Sequence, residues 1–218
     1  MNKRKICAFA LALMSSSGLV HAANGTMGMG KLLFFEAGLA YSHVYYKSSI
    51  TVAESNTAAT PGGFSINPSR VYPNNFWGGY LGLSLYVSDW LFNTRYNAFN
   101  SKSKSSVDTD ITFSPVNLTF TLDRVWGCIN DWSYGFGAGV VVDNINKGEA
   151  NIIVADDNPV SETVHSTRID PLIEGFVMYR LNDSVGVKLN VAYQIPVHDQ
   201  AGRGALGVNL GLNYALPI

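Results

Sequence analysis

The residues from Leu206 to Ile218 read LGVNLGLNYALPI, and this stretch decides the fold. Every second position from Leu206 onward carries a large apolar side chain, and the positions between carry Gly, Asn, Ala or Pro. A side-chain period of two places alternate residues on opposite faces of a β-strand. The stretch therefore predicts a strand with one apolar face and one small or polar face.

Seven earlier segments show a similar alternation, and each has at least about the 9–11 residues that a tilted membrane-spanning strand requires. In the fourth segment the parity of the apolar residues changes at Ser114-Pro115. A β-bulge there would reset the register, because proline cannot donate to the strand ladder. The seven segments are about Leu32–Tyr46, Phe76–Ser88, Trp90–Phe99, about Val107–Leu122, Trp132–Asp143, about Thr167–Leu181 and Val185–Val197.

The connections between these strands alternate in length. Short connections are predicted at Ser88-Asp89, Asp123–Asp131 and Asn182–Ser184, and long ones at about Lys47–Asn75 and about Asn144–Ser166. Two further connections, near residues 100–106 and 198–203, are shorter but polar. Outer-membrane barrels have short periplasmic turns and longer extracellular loops. The pattern therefore predicts an all-β fold, an eight-stranded antiparallel up-and-down transmembrane barrel with both termini in the periplasm.

Composition supports a membrane barrel over a soluble one. Charged residues make up 14% of the chain, below the roughly 25% of ordinary soluble domains, while apolar residues make up 47%. A soluble eight-stranded binding barrel would have an apolar interior. Here the charged residues in mid-strand share the face of the small and polar residues. The net charge of −1 gives no electrostatic case for nucleic-acid binding.

The N-terminal residues have the pattern of a secretory signal peptide. Lys3, Arg4 and Lys5 form a basic start, the apolar stretch 6–14 follows, and Val20-His21-Ala22 is a small-residue cleavage signal. The apolar stretch is shorter than the roughly 18 residues that a membrane-spanning helix needs. We therefore expect residues 1–22 to be cleaved and residues 23–218 to form the barrel domain.

Together the strand count, the loop alternation and the terminal strand resemble the eight-stranded outer-membrane barrels of the OmpA, OmpX and opacity-protein type. The resemblance covers residues 23–218, and it rests on no family-specific motif. It implies insertion into the outer membrane of a Gram-negative bacterium, among phospholipid and lipopolysaccharide. It also implies recognition by the barrel-assembly machinery through the C-terminal strand, although that strand usually ends in an aromatic residue and here ends in Pro217-Ile218.

Charged residues on the inward face predict a network inside the barrel. An eight-stranded barrel is just wide enough for side chains to fill it, and unpaired buried ions are costly. We expect Glu36 and Glu174 to interact with Arg95 and Lys188, which would plug the barrel and fix the strand register. Arg180 belongs to the same inward set but lies nearer the short turns, where we expect it to be solvated. A gated pore built on the same residues is the alternative.

Three histidines, His43, His165 and His198, are predicted at or above the long-loop rim. Histidine and serine near the outer leaflet serve lipid A deacylases and palmitoyltransferases of the barrel type, so the sequence Val164-His165-Ser166-Thr167 is a candidate. Adjacent residues of a strand point in opposite directions, however, which weakens a His165–Ser166 pair. Solvated loop histidines are the favoured interpretation, and the sequence predicts no metal site and no cofactor.

Function is predicted to reside in the long loops, since binding usually resides in loops held by a rigid scaffold. The favoured interpretation is a monomeric, non-enzymatic protein with a structural or surface-interaction role toward an extracellular ligand or host surface. The loop around residues 144–165 carries Glu149, Asp156, Asp157 and Glu162, which would attract cations or a basic partner. A narrow solute or ion channel is the second interpretation, and a lipid A-modifying hydrolase or acyltransferase is the third.

Overall fold

The computed structural model describes residues 31–46, 50–52, 64–66, 72–106, 109–153, 159–197 and 202–218. The predicted signal peptide, residues 1–22, lies outside these ranges. Among the residues described, no helix is long and apolar enough to cross a membrane. The strands, in chain order, are β1 Leu32–Tyr46, β2 Ile50–Val52, β3 Phe64–Ile66, β4 Asn75–Val87, β5 Trp90–Phe99, β6 Lys102–Ser106, β7 Thr109–Phe113, β8 Pro115–Gly127, β9 Trp132–Ile153, β10 Pro159–Arg180, β11 Val185–Gln194 and β12 Gly202–Pro217.

Eight of these strands form a closed antiparallel barrel. The hydrogen-bonded order is β1-β4-β5-β8-β9-β10-β11-β12, and β12 pairs back with β1 from Leu32↔Pro217 to Tyr46↔Gly202. Each barrel strand therefore lies beside its neighbours in sequence, which confirms the predicted eight-stranded up-and-down architecture. Full closure leaves the barrel without a free edge strand.

Local sequence explains the tight turns at one end of the barrel. Ser88 and Asp89 join β4 to β5, and both have positive φ, 49° and 66°. Positive φ at both central residues is the mark of a type I′ turn, whose twist matches that of the flanking strands. Between β10 and β11, Asn182 Oδ1 accepts hydrogen bonds from the backbone N–H groups of Ser184 and Val185, both at 2.9 Å. We call this the turn end, and the opposite end the loop end.

The predicted connection at about Asn144–Ser166 is wrong as a loop, because its backbone continues the barrel strands. β9 and β10 run as an antiparallel pair out to Ile153↔Pro159. The hairpin β6–β7 joins the edge of this extension, with Thr109↔Ile152 to Thr112↔Glu149 paired to β9. The connection near residues 100–106 is therefore largely strand as well. Polar sequence suggested loops here, but backbone pairing with neighbours overrides that local signal.

The fourth predicted strand, about Val107–Leu122, is two strands in the structure. β7 ends at Phe113 and β8 begins at Pro115, so the interruption falls at the predicted Ser114-Pro115 step. β8 then continues to Gly127, five residues beyond the predicted end at Leu122. Asp123 therefore lies within a strand and not in a turn.

The outer surface of the barrel is apolar. Large side chains at alternate positions are exposed on every barrel strand, among them Leu39, Leu81, Phe120, Val177 and Leu210. Aromatic pairs lie at both ends of this surface: Trp132 and Tyr179 at the turn end, with ring centroids 4.7 Å apart, and Tyr41 and Trp77 toward the loop end, 4.6 Å apart. Amphipathic rings of this kind favour the interface between lipid and water.

Candidate functional site

Four strands of the barrel deliver opposite charges to the middle of the lumen. Glu36 lies on β1, Arg95 on β5, Glu174 on β10 and Lys188 on β11, and all four side chains are buried. Gly82 on β4 lies between Glu36 and Arg95 in the register. A Cβ at Gly82 would come within 3.1 Å of Arg95 Cγ and 3.2 Å of Glu36 Cβ, so glycine leaves the space that these long side chains need.

Arg95 and Glu174 form a two-pronged ion pair across the lumen. Arg95 Nη1 donates to Glu174 Oε1 at 3.1 Å, and Arg95 Nη2 donates to Glu174 Oε2. Both side chains are almost fully inaccessible. A fork-to-fork pair of this kind fixes both distance and orientation, because the guanidinium and carboxylate planes must match. The pair therefore connects β5 to β10, which lie on different parts of the barrel wall.

Lys188 and Glu36 form a second buried ion pair. Lys188 Nζ donates to Glu36 Oε1 at 2.7 Å and to Asn93 Oδ1 at 2.9 Å. The same ammonium lies 5.0 Å from the centre of the Phe176 ring, within the range of a cation–π contact. Because Lys188 bonds to Glu36 and Asn93 at once, it joins β11 to β1 and β5.

Asn93 connects the two ion pairs into one network. Its Oδ1 accepts from Lys188, and its Nδ2 lies 3.0 Å from Thr121 Oγ1, 2.5 Å from Asp123 Oδ2 and 3.4 Å from Glu174 Oε1. Ser84 Oγ lies 2.6 Å from both Glu36 Oε1 and Asn93 Oδ1 and can donate to one at a time. Sequence parity places Asn93 in the lumen, but nothing in the sequence marks it as the residue on which both pairs converge.

Asp123 is a member of this network that the sequence analysis missed. It is fully buried, and its carboxylate accepts from Asn93 Nδ2. Gly137 on the neighbouring strand makes room, since a Cβ there would lie 2.2 Å from Asp123 Oδ1. The signal was available: Asn117, Thr119 and Thr121 are polar at every second position, and Asp123 continues that series. The predicted strand ends at Leu122, so Asp123 is assigned to a turn and left out of this alternating series.

Arg180 lies apart from the network, and the expectation that it is solvated is wrong. Its side chain is buried near the turn end, where Nη2 donates to the backbone carbonyl of Asp183. Its guanidinium carbon lies 5.6 Å from the centre of the Phe34 ring. Phe34 and the turn at residues 181–184 therefore hold Arg180 by local contacts.

An apolar floor closes the lumen between the network and the turn end. Phe34, Leu91, Phe176 and Met178 are each at most 3% exposed, and they belong to one cluster of contacting side chains. The remaining members are Leu32, Val125 and Ala215, with Tyr86 and Ile129 against them. We use "the floor" for this cluster. Gly135 permits it, because a Cβ at that position would lie 2.3 Å from Phe176 Cε1.

A cavity of about 50 Å³ lies on the loop side of the network. Asn97, Asn117, Asn190 and Asn209 contribute to its lining, and Arg95 forms part of its inner end. Nearer the loop end, Gln194 Nε2 donates to both Asp143 and Asp170, and Asp170 Oδ1 accepts from the backbone N–H of Val197 at 3.1 Å. Phe99, Val141 and Leu172 also line the cavity, so its lining is mixed. The lumen is therefore layered from the turn end: an apolar floor, a charged network and a cavity lined by amide and apolar side chains.

Of the three rim histidines, only His43 can be placed in full. Its Nδ1 lies 2.6 Å from Asn75 Oδ1, and its ring contacts Tyr45 with centroids 4.6 Å apart. The backbone of His165 belongs to β10, but its side chain lies outside the described part of the chain, as does the whole of His198. Within the described residues, no three or more His, Cys, Asp or Glu side chains are grouped so that they could hold a metal ion.

No protein-family model matches the chain. No curated protein sequence matches it either. Solved structures do: the outer membrane protein OprG from Pseudomonas aeruginosa is 12% identical, with a TM-score of 0.60 over 86% of this chain and 96% of that chain. The attachment invasion locus protein Ail of Yersinia pestis, solved with the heparin analogue sucrose octasulfate, is 14% identical, with a TM-score of 0.53 over 86% of this chain and 100% of that chain. By fold, this chain is an eight-stranded antiparallel β-barrel of the type found in these outer-membrane proteins.

Proposed function

We propose that this protein is a closed barrel of the Gram-negative outer membrane, a non-catalytic scaffold that presents its loop end to the outside. The apolar outer surface supports membrane insertion, because exposed apolar side chains on every strand match the lipid-facing band of such barrels. Phospholipid and lipopolysaccharide then surround the barrel, and β12 is the strand that the assembly machinery recognises. Both termini lie on the periplasmic side with the turn end.

The observation that carries the proposal is the blocked lumen. Beneath the cavity, the ion pairs Arg95–Glu174 and Lys188–Glu36 cross the lumen, and the floor fills it below them. A solute crossing from the loop end would have to displace a buried charged network and then close-packed apolar side chains. Displacing the network is costly, since separating a buried ion pair leaves two uncompensated charges. The blocked lumen therefore supports the interpretation that the cavity is a recess open at the loop end and closed below, and not part of a channel.

The structure of the loop end supports a role in surface interaction. β9 and β10 are 22 residues each, about twice the 9–11 residues that a tilted strand needs to span the membrane. Their outer parts, with β6 and β7, form a sheet beyond the barrel wall. Rigid extensions that carry loops are suited to binding.

Charge in this extension favours a cationic or basic partner. Glu149 and Glu162 belong to the extended strands, and Asp156 and Asp157 occur in the sequence between them. With Asp108 and Asp110 they outnumber the lysines of the same segments, Lys102, Lys104 and Lys147. Complementary charge raises the rate at which a partner finds its site and disfavours partners of like charge. A sulfated polyanion such as the sucrose octasulfate bound to Ail is therefore not the ligand that we propose here.

Single-channel recording in planar bilayers tests the closed-barrel proposal. The folded protein, verified by heat-dependent migration on gels and by co-flotation with lipid, should show no steady conductance level. The variant Phe35→Ala serves as a control. It shortens a lipid-facing side chain next to Phe34 in the sequence, and it should show no conductance either. A steady open level in the unmodified protein would support the narrow channel and overturn the closed scaffold.

A further inference from the structure

Three residues that line the cavity on the loop side of the network carry buried polar atoms without partners among the described residues. Asn190 is 1% exposed, and neither its Oδ1 nor its Nδ2 has a hydrogen-bond partner among the described residues. Arg95 Nε and Asn97 Oδ1 are likewise buried without a partner within the described part of the chain. All three residues line the cavity. Since buried polar groups are nearly always hydrogen-bonded, these three side chains require polar partners inside the cavity.

The arrangement of donors and acceptors defines the chemistry of that ligand. Arg95 Nε and Asn190 Nδ2 are donors, and Asn190 Oδ1 and Asn97 Oδ1 are acceptors. A group that carries one carbonyl oxygen and one NH₂ complements this set, because it offers an acceptor to the donors and two N–H donors to the acceptors. A primary amide has this pattern.

Charge favours a neutral ligand. The positive charge of Arg95 is balanced by its two-pronged pair with Glu174. Among the described residues that line the cavity, none is Asp or Glu, so a cation inside it would have no carboxylate in direct contact. Asp143 and Asp170, held by Gln194 closer to the loop end, oppose the entry of an anion. A neutral solute needs no counterion in the cavity and is not repelled by Asp143 and Asp170.

Size and access set the remaining limits. A cavity of about 50 Å³ exceeds the roughly 10–15 Å³ that one water requires and suits a solute of a few heavy atoms. The floor blocks entry from the turn end, so the ligand arrives from the loop end. We propose that the lumen contains a binding site for a small neutral primary amide, formed by Asn190, Asn97 and Arg95.

Titration of the folded full-length mature protein with acetamide tests this site. Side-chain amide resonances of ¹⁵N-labelled asparagine report binding residue by residue. Asn213 is an internal control, because it is as buried as Asn190 and its amide is also unpartnered among the described residues, yet it does not line the cavity. Saturable shifts are expected at Asn190 and Asn97, with Asn213 unchanged. Acetate, which has nearly the same shape but carries a charge, should give no saturable shift.

A pair of variants tests the same site by affinity, without relying on the chemical shifts of individual asparagines. Asn190→Leu should weaken acetamide binding about tenfold, equivalent to the loss of one or two hydrogen bonds, whereas Asn213→Leu should leave it unchanged. If Asn190→Leu does not fold, the comparison of acetamide with acetate on the unmodified protein still decides. Linear, unsaturable shifts with acetamide, equal binding of acetate, or equal loss in both variants would overturn the proposal.

Discussion

Asn93 illustrates how a single neutral side chain organises the charges of this lumen. Its amide faces Lys188 with the oxygen and Asp123 with the nitrogen, so it accepts from a cation and donates to a carboxyl group at the same time. No ionised side chain combines those two roles, since carboxylates only accept and ammonium groups only donate. An asparagine therefore joins Lys188 to Asp123, and through its Nδ2 contact with Glu174 to the second ion pair, without adding a further buried charge.

Removing one partner of an ion pair should cost more than removing both. Lys188→Met leaves Glu36 buried without its cation, and we expect the free energy of unfolding to fall by about 3–5 kcal/mol. The double variant Glu36→Gln/Lys188→Met buries no isolated charge and should recover most of that loss. Urea unfolding in lipid vesicles, followed by tryptophan fluorescence, measures both. Equal stability of Lys188→Met and the unmodified protein would show that the pair does not hold the lumen together.

The paired strands β9 and β10 belong to two different environments along their length. Their turn-side halves lie in the barrel wall, where β9 pairs with both β8 and β10. Their outer parts pair with each other and with β7 beyond the wall. In the wall each strand is paired on both sides. In the extension, β10 is paired only with β9 among the described residues, because β10–β11 pairing begins at Leu172↔Gln194. The two parts should therefore respond differently to change.

Replacing residues 148–164 with an Asn-Gly turn should leave the barrel folded. β8–β9 pairing ends at Pro115↔Ile145, before the replaced segment begins. An Asn-Gly pair favours the two-residue turn that the shortened hairpin needs. Heat-dependent gel migration should persist in this variant. Val140→Pro is the control within the wall, where every N–H donates to one neighbour or the other, and it should abolish the folded band. Loss of folding in the loop variant would mean that the extension is part of the folding unit.

In cross-section, this barrel reverses the distribution of polar and apolar side chains that is usual in soluble proteins. Large apolar side chains face outward on every barrel strand, and ion pairs and amides fill the middle of the interior. In water such an exterior would aggregate, whereas in a bilayer it is solvated by lipid tails. The apolar floor is the exception inside, and it lies at the turn end, where it closes the lumen.

A charge placed on the outer surface should destabilise the barrel according to its depth. Leu81 is exposed and pairs with Ala37 and Tyr96 in the middle of the wall, so Leu81→Arg should lower the free energy of unfolding in a bilayer by about 2–4 kcal/mol. Val197 is also exposed but follows the end of β11, and Val197→Arg should cost about 0–1 kcal/mol. Denaturant titration in phosphatidylcholine vesicles compares them. Equal costs would argue against a membrane-embedded wall.

The sequence by itself determined the eight barrel strands and the face on which their alternating residues lie, but not the extension of β9 and β10 or the end of β8. Those properties follow from a side-chain period of two, which is local and visible in any strand-length segment such as Leu206–Ile218. It placed Glu36, Arg95, Glu174 and Lys188 in the lumen, but two acids and two bases can pair in more than one way. Pairing depends on strand register and barrel closure, which are set by contacts between residues far apart in the chain.

Only the tertiary structure decided that Arg95 bonds Glu174, that Lys188 bonds Glu36 and that Asn93 joins them. It also decided that Asp123 belongs to the network and that Arg180 does not. The floor and the cavity are likewise products of closure, because each is lined by residues from many strands. The alternation of residues along a strand specifies whether a side chain points inward or outward. Strand register and barrel closure specify which other side chains it contacts.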